Sequence, residues 1–165
     1  MTGQAKDGKV GFMILGRIKK VFCVCIFLGL AGFLFPQTAE RMEELLRAEA
    51  LSYGQVAQFV LEAADAAAPS GPAQAFSFAA DRNWLPKKAA ADDEAKLDGL
   101  SLLVMESFGF KGGMFYSLLK NPHYAYRELT YHRIIQGRSD PGMAVSGEML
   151  LFVVNRALSE SEENL

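Results

Sequence analysis

The chain has 165 residues, half of them apolar and 22% charged, and a formal net charge of -2. That length suits one domain behind a leader, and the composition is too apolar for intrinsic disorder. Charge is uneven, with 6 basic against 12 acidic residues over 38–110 but 6 against 3 over 111–156. A dedicated nucleic-acid binder would be basic throughout, so nucleic acid is set aside as a partner; the basic C-terminal part suits an anionic polymer instead.

The first forty residues have the form of an export signal. Arg17, Lys19 and Lys20 precede an uncharged apolar run of fifteen residues, 21–35, and then Pro36-Gln37-Thr38-Ala39. A spanning helix needs about 20 residues, so residues 1–36 read as a cleaved signal peptide or as a retained N-terminal anchor. Met13 offers a second start with a more usual leader. Both cysteines, Cys23 and Cys25, lie in the apolar run. A mature chain would therefore have no disulfide, thiol chemistry or Cys-based metal site.

Residues 38–68 are rich in Ala, Glu, Leu, Arg and Gln and predict helix. Ser52 with Gln55 has the form of a capping box, so a helix restarts there with Val56, Phe59, Val60 and Ala63 inward. Pro69-Ser70-Gly71-Pro72 breaks it. A helix over 73–82 follows, with Phe76, Ala79 and Ala80 on one face, closed at Asn83 ahead of Trp84-Leu85-Pro86. Trp84 reads as a core anchor. After a polar loop, Asp98 reads as the N-cap of a helix over 99–108 with Leu102, Leu103 and Met105 inward. Lys111-Gly112-Gly113 reads as a flexible link rather than a phosphate loop. Pro122 opens a helix with Tyr126, Leu129 and Ile134 at core spacing, ending near Gly137. Asp140-Pro141-Gly142 is a turn. Ser146 caps a helix over 147–158 with Leu150, Val153, Val154 and Ala157 inward, and residues 159–165 form a frayed acidic tail.

This second half says the same thing twice. Ala75-Phe76 through Trp84-Leu85-Pro86 is answered 50 residues later by Ala125-Tyr126 through Ile134-Ile135-Gln136. Asp92 and Leu97-Asp98-Gly99 are answered 48 residues later by Asp140 and Val145-Ser146-Gly147, which implies a loop shortened by two. A third echo opens at Leu51-Ser52-Tyr53. Self-similarity at a fixed period marks stacked supersecondary units. The expected architecture is all-α: tandem helix-loop-helix repeats packed into one small domain, with a half unit over 48–64, repeat A over 73–108 and repeat B over 122–158. Four or five helices and no sheet are expected.

The unit resembles the S-layer homology (SLH) domain, the module that tethers proteins to bacterial cell walls. Repeat B carries the likeness in Tyr126-Arg127-Glu128-Leu129, Ile134-Ile135-Gln136-Gly137, Asp140-Pro141 and Val145-Ser146-Gly147-Glu148. The whole chain, leader included, is similar to small exported envelope proteins of the spirochaete kind. In the SLH family an Arg after the capping Thr contributes to the polymer pocket. The matching positions here are Tyr53, Gly99 and Gly147, none of them basic.

No residues read as a catalytic centre. His123 and His132, nine apart, cannot share a helical face as a metal pair, so no metal and no cofactor are expected. Ser52, Asp98 and Ser146 occupy one slot and read as helix caps rather than nucleophiles. Tyr126, Arg127, Tyr131, His132, Arg133 and Arg138 interleave aromatics with cations, a pattern that stacks on sugar rings and pairs with acidic substituents. The expected function is a non-enzymatic envelope protein of the periplasm or cell surface. It would bind peptidoglycan or another anionic cell-wall polymer, with membrane contact only through an uncleaved N-terminal segment. The alternative is a structural adaptor whose incomplete half unit docks another envelope protein or another copy of itself.

Overall fold

The computed structural model describes residues 35–163. All but the last two residues of the leader, 1–36, lie outside them. Internal contacts divide the chain into two compact units, Met1–Glu43 and Glu44–Leu165. The first is described only as the opening of helix α1 (Phe35–Arg47). The second contains the end of α1 and then α2 (Tyr53–Ala63), α3 (Pro72–Asp81), α4 (Leu97–Ser107), α5 (Met114–Leu119), α6 (Pro122–Tyr131) and α7 (Gly147–Glu163). The described residues are all-α, with seven helices where four or five were expected and only two isolated bridges, Ser52 with Glu94 and Lys96 with Ala144. No described helix is long and apolar enough to cross a membrane.

Three main-chain segments meet at the centre. The Leu51 N–H donates to the Val145 carbonyl (2.9 Å), Val145 N–H to Ala95 (2.9 Å) and Ala95 N–H to Leu51 (2.8 Å). The ring closes on itself, and all three residues are buried. Each lies two residues before a helix: α2, α4 and α7. Those helices converge their apolar faces below the ring. Val56 and Val60, Leu100 and Val104, and Leu150 and Val154 are at most 2% exposed and lie at successive offsets of 44 and 50 residues.

The same offsets recur in the turns. Asp65 and Gly109, 44 apart, end α2 and α4 with positive φ, and Asn83 and Arg133, 50 apart, do the same after α3 and α6. Trp84 N–H bonds the Ala79 carbonyl as Ile134 bonds Leu129, both at 2.9 Å. In the packing, α2 lies mainly on α3, and α4 on α6.

Several sequence expectations need correction. The offset is 50 throughout, since Ala95-Lys96-Leu97, not Leu97-Asp98-Gly99, answers Val145-Ser146-Gly147. Asp98 is therefore not a cap. It sits in the first turn of α4, whose N-cap is Lys96, with no side-chain capping bond. Support comes from Tyr53 instead, whose hydroxyl accepts from Lys96 N–H (3.4 Å), much as the Gln55 side chain accepts from Ser52 N–H (3.0 Å). Ser52 does form its capping box, and Ser146 Oγ accepts from Met149 N–H at 3.2 Å. Asp92 is not the partner of Asp140. The closing bond Asp93 N–H to Ala90 matches Met143 N–H to Asp140, so Ala90 fills that slot. Buried Ala75 and Ala125 lead the first helices, with Phe76 and Tyr126 only partly covered; Trp84 is half-buried against Phe78. The helix after Pro122 stops at Tyr131 rather than Gly137, and α7 continues through the supposed tail to Glu163.

Two tyrosines tie this frame to pH. Burial raises the Tyr53 hydroxyl above its ordinary value of 10.0, opposed by the Lys96 N–H bond and reinforced by Asp98 and Asp93. Burial also raises Tyr116, helped by its donated bond to Glu106. Neutral tyrosine is thus the folded form. Its contribution is complete below pH about 10 and is lost as pH rises towards the folded values. Denaturant midpoints should fall between pH about 9 and 11, and the combined Tyr53→Phe, Tyr116→Phe variant should fall less steeply. Parallel slopes would contradict this assignment.

Candidate functional site

The helix α6 starts cleanly because Asn121 accepts from His123 N–H (2.9 Å) and Pro122 needs no partner in the first turn. It ends at His132, whose N–H bonds the Glu128 and Thr130 carbonyls, and the chain reverses at Arg133 with φ +59°. That conformation favours Gly or Asn, so an arginine there is held at a conformational cost. The turn overhangs α7. Between them lies a concavity of about 510 Å³ walled by His132, Arg133, Ile134, Phe152, Asn155, Arg156, Ser159 and Glu160.

Phe152 and Arg156 are neighbours one turn apart on α7, with the guanidinium carbon 5.2 Å from the ring centroid. Phe152 keeps 47% of its surface exposed. His132 Nδ1 lies 4.0 Å from Glu160 Oε1, and Tyr131 meets the imidazole edge-on at 5.4 Å. Two guanidiniums and an imidazole line the groove with one carboxylate, and an aromatic face lies alongside.

Phe152 also borders a second concavity, about 390 Å³, whose rim includes Arg138, Gln136, Ser139 and Glu148 above apolar Leu97, Ile135 and Met149. The aromatic ring therefore stands between two recesses, one holding Arg133, Arg156 and Glu160, the other Arg138 and Glu148. A third recess of about 480 Å³ lies beyond His132, floored by Met105, Phe108, Phe110 and Leu129.

The residues expected to form one pocket are thus divided. His132 and Arg133 enter the first recess and Arg138 the second, while Arg127 and Tyr131 line neither, Tyr131 being 81% exposed. Tyr126 is committed elsewhere. Its hydroxyl donates to the Ser139 carbonyl at 3.0 Å, or pairs with Ser139 Oγ at 2.9 Å, pinning the loop that carries Arg138. Phe152, Asn155 and Arg156 were not foreseen. Their signal was an aromatic out of phase with the inward set Leu150, Val153, Val154 and Ala157, followed four residues later by a cation.

The positions matched to the SLH-family arginine, by the observed register, are Tyr53, Leu97 and Gly147. All three are buried. A Cβ on Gly147 would run into the Leu45 carbonyl, and the Tyr53 ring fills the space above Gly99. Nothing basic stands at these positions, whereas Arg133 and Arg156 line the α6–α7 groove.

Relief of the Arg133 backbone gives a direct check. Arg133→Gly should raise stability by up to about 1 kcal/mol in denaturant unfolding, because glycine adopts positive φ freely. A destabilised variant would show that the side chain holds the turn together.

Comparison with protein-family models, with curated proteins and with solved structures finds no match for this chain.

Proposed function

We propose that this chain is a non-enzymatic protein of the bacterial envelope, built from SLH-like helical repeats, that binds an anionic glycan of the cell wall. In this reading the half unit over 48–64, repeat A and repeat B form a three-unit cluster around the Leu51–Ala95–Val145 ring. The leader carries the chain to the periplasm or cell surface.

The observation that carries the binding proposal is the exposed Phe152 ring flanked by Arg133 and Arg156 on one side and Arg138 on the other. A sugar face stacks on an aromatic ring, while carboxylate or phosphate substituents pair with guanidinium forks. Guanidinium groups on both sides of one aromatic ring suit successive units of a polymer better than a single small molecule. The adaptor alternative drew on an unfilled half unit. Leu51 already bonds both Ala95 and Val145 within the chain, which favours the polymer reading.

Retention of the full chain on purified cell-wall sacculi tests this. Arg133→Ala combined with Arg156→Ala should lower retention at least about tenfold, since charged hydrogen bonds contribute about 1.5–3 kcal/mol each. Arg127→Ala should leave it unchanged. Retention should weaken with salt, whose screening length is about 8 Å at physiological ionic strength. Retention of the double variant at the parental level, with its helical signal intact, would refute the groove as the binding site.

A further inference from the structure

The link expected at Lys111-Gly112-Gly113 leads instead into α5, six residues long. Of its residues, Met114 is 76% exposed, Phe115 59%, Leu118 78% and Leu119 54%. Apolar side chains exposed singly are normal, but four on one short helix form a patch. The patch is held in place. Tyr116 points inward at 3% exposure, and its hydroxyl donates to Glu106 Oε1 at 2.8 Å. Lys120 Nζ donates to Glu106 Oε2 at 3.0 Å, so one carboxylate on α4 grips both ends of the turn. The Phe115 ring stacks on Tyr124 at 5.8 Å.

Charge around the patch leans to the positive, since Lys120 is paired with Glu106 and Lys111 and Arg127 stand against Glu128 alone. Residues 111–127 contain Lys111, Lys120 and Arg127 and no Asp or Glu. Glu106 is engaged with Tyr116 and Lys120, and Glu128 sits beside Gly113. We propose that α5 is a membrane-docking element that inserts Met114, Phe115, Leu118 and Leu119 into the interface of an anionic bilayer, with Lys111 meeting the headgroups.

Size and shape select this occupant. The patch is on the order of a few hundred Å², below the roughly 800 Å² per partner of a stable protein interface, which argues against a second copy. None of the three recesses described above is lined by a residue of α5. Exposed apolar side chains beside a lysine and a half-buried tyrosine, Lys111 and Tyr124, are what an interfacial anchor presents to anionic lipid. This contact is additional to any made by the N-terminal apolar run and is independent of the glycan groove.

The test reads α5 itself, because the N-terminal run of the full chain could carry it to vesicles unaided. Phe115→Trp adds an indole to a parent whose single tryptophan, Trp84, serves as the blank. With vesicles of equal parts phosphatidylcholine and phosphatidylglycerol, the added fluorescence should shift to the blue and be quenched by brominated lipid chains. Lys111→Glu in the same background should weaken the vesicle affinity of that signal about tenfold. Leu118→Trp offers the same readout should the first variant fold poorly by circular dichroism. An indole that remains open to aqueous quenchers while the chain co-sediments with vesicles would overturn the proposal. So would equal quenching in pure phosphatidylcholine. A lipid-free blue shift that grows with protein concentration would assign the patch to a second copy and overturn it as well.

Discussion

Three buried backbone hydrogen bonds, Leu51 to Val145, Val145 to Ala95 and Ala95 to Leu51, decide where every other element of the Glu44–Leu165 unit sits. Each residue both donates to one neighbour and accepts from the other, so no member can leave without stranding two partners. A buried amide or carbonyl left without a partner costs about 1–3 kcal/mol, and the ring contains three of each. The constraint is also directional. Because the ring residues lie two positions before α2, α4 and α7, closing it aims the three helices at one another. Val56, Leu100 and Leu150 are then brought together by apolar burial.

The groove inherits its geometry from this centre. α7 is fixed at its start by Val145 and by the Gly147 N–H bond to the Ala48 carbonyl (3.0 Å), which places Phe152 about one and a half turns and Arg156 about two and a half turns along. α6 is fixed by packing on α4, which places Arg133 over the same stretch of α7. The cations are therefore presented by rigid elements, and the one strained residue among them, Arg133, is carried in a turn whose counterpart is the better-suited Asn83. A stability cost borne at a candidate binding residue and absent from its counterpart is the pattern that functional positions show.

Much of the architecture was legible because burial follows helical periodicity. The inward set of α7, Val56 and Val60 of α2, the break at Pro69-Ser70-Gly71-Pro72 and the capping box at Ser52 all depend on local chemistry that a single sequence displays, whereas Phe59 and Ala63 are only partly covered. The register of repeat A was misread for a physical reason. Asp98 looks like a cap and Lys96 does not, but the cap's amide is satisfied by Tyr53, 43 residues away, a long-range bond with no local signature. α5 was missed because its anchors on α4, Tyr116 and Lys120 to Glu106, are also tertiary. For the groove, the aromatic–cation cluster on α6 was visible, whereas its division into two recesses depends on Phe152, contributed by another helix.

Hydrogen exchange at the ring amides, followed by NMR on the full chain, tests the central claim most directly. The N–H groups of Leu51, Ala95 and Val145 should exchange at one common rate, as slow as the interior amides of α2 and α4, because opening any of them requires unfolding the whole unit. Faster exchange at even one of the three would show that its segment opens separately. The ring would then be a consequence of the helix packing rather than its cause.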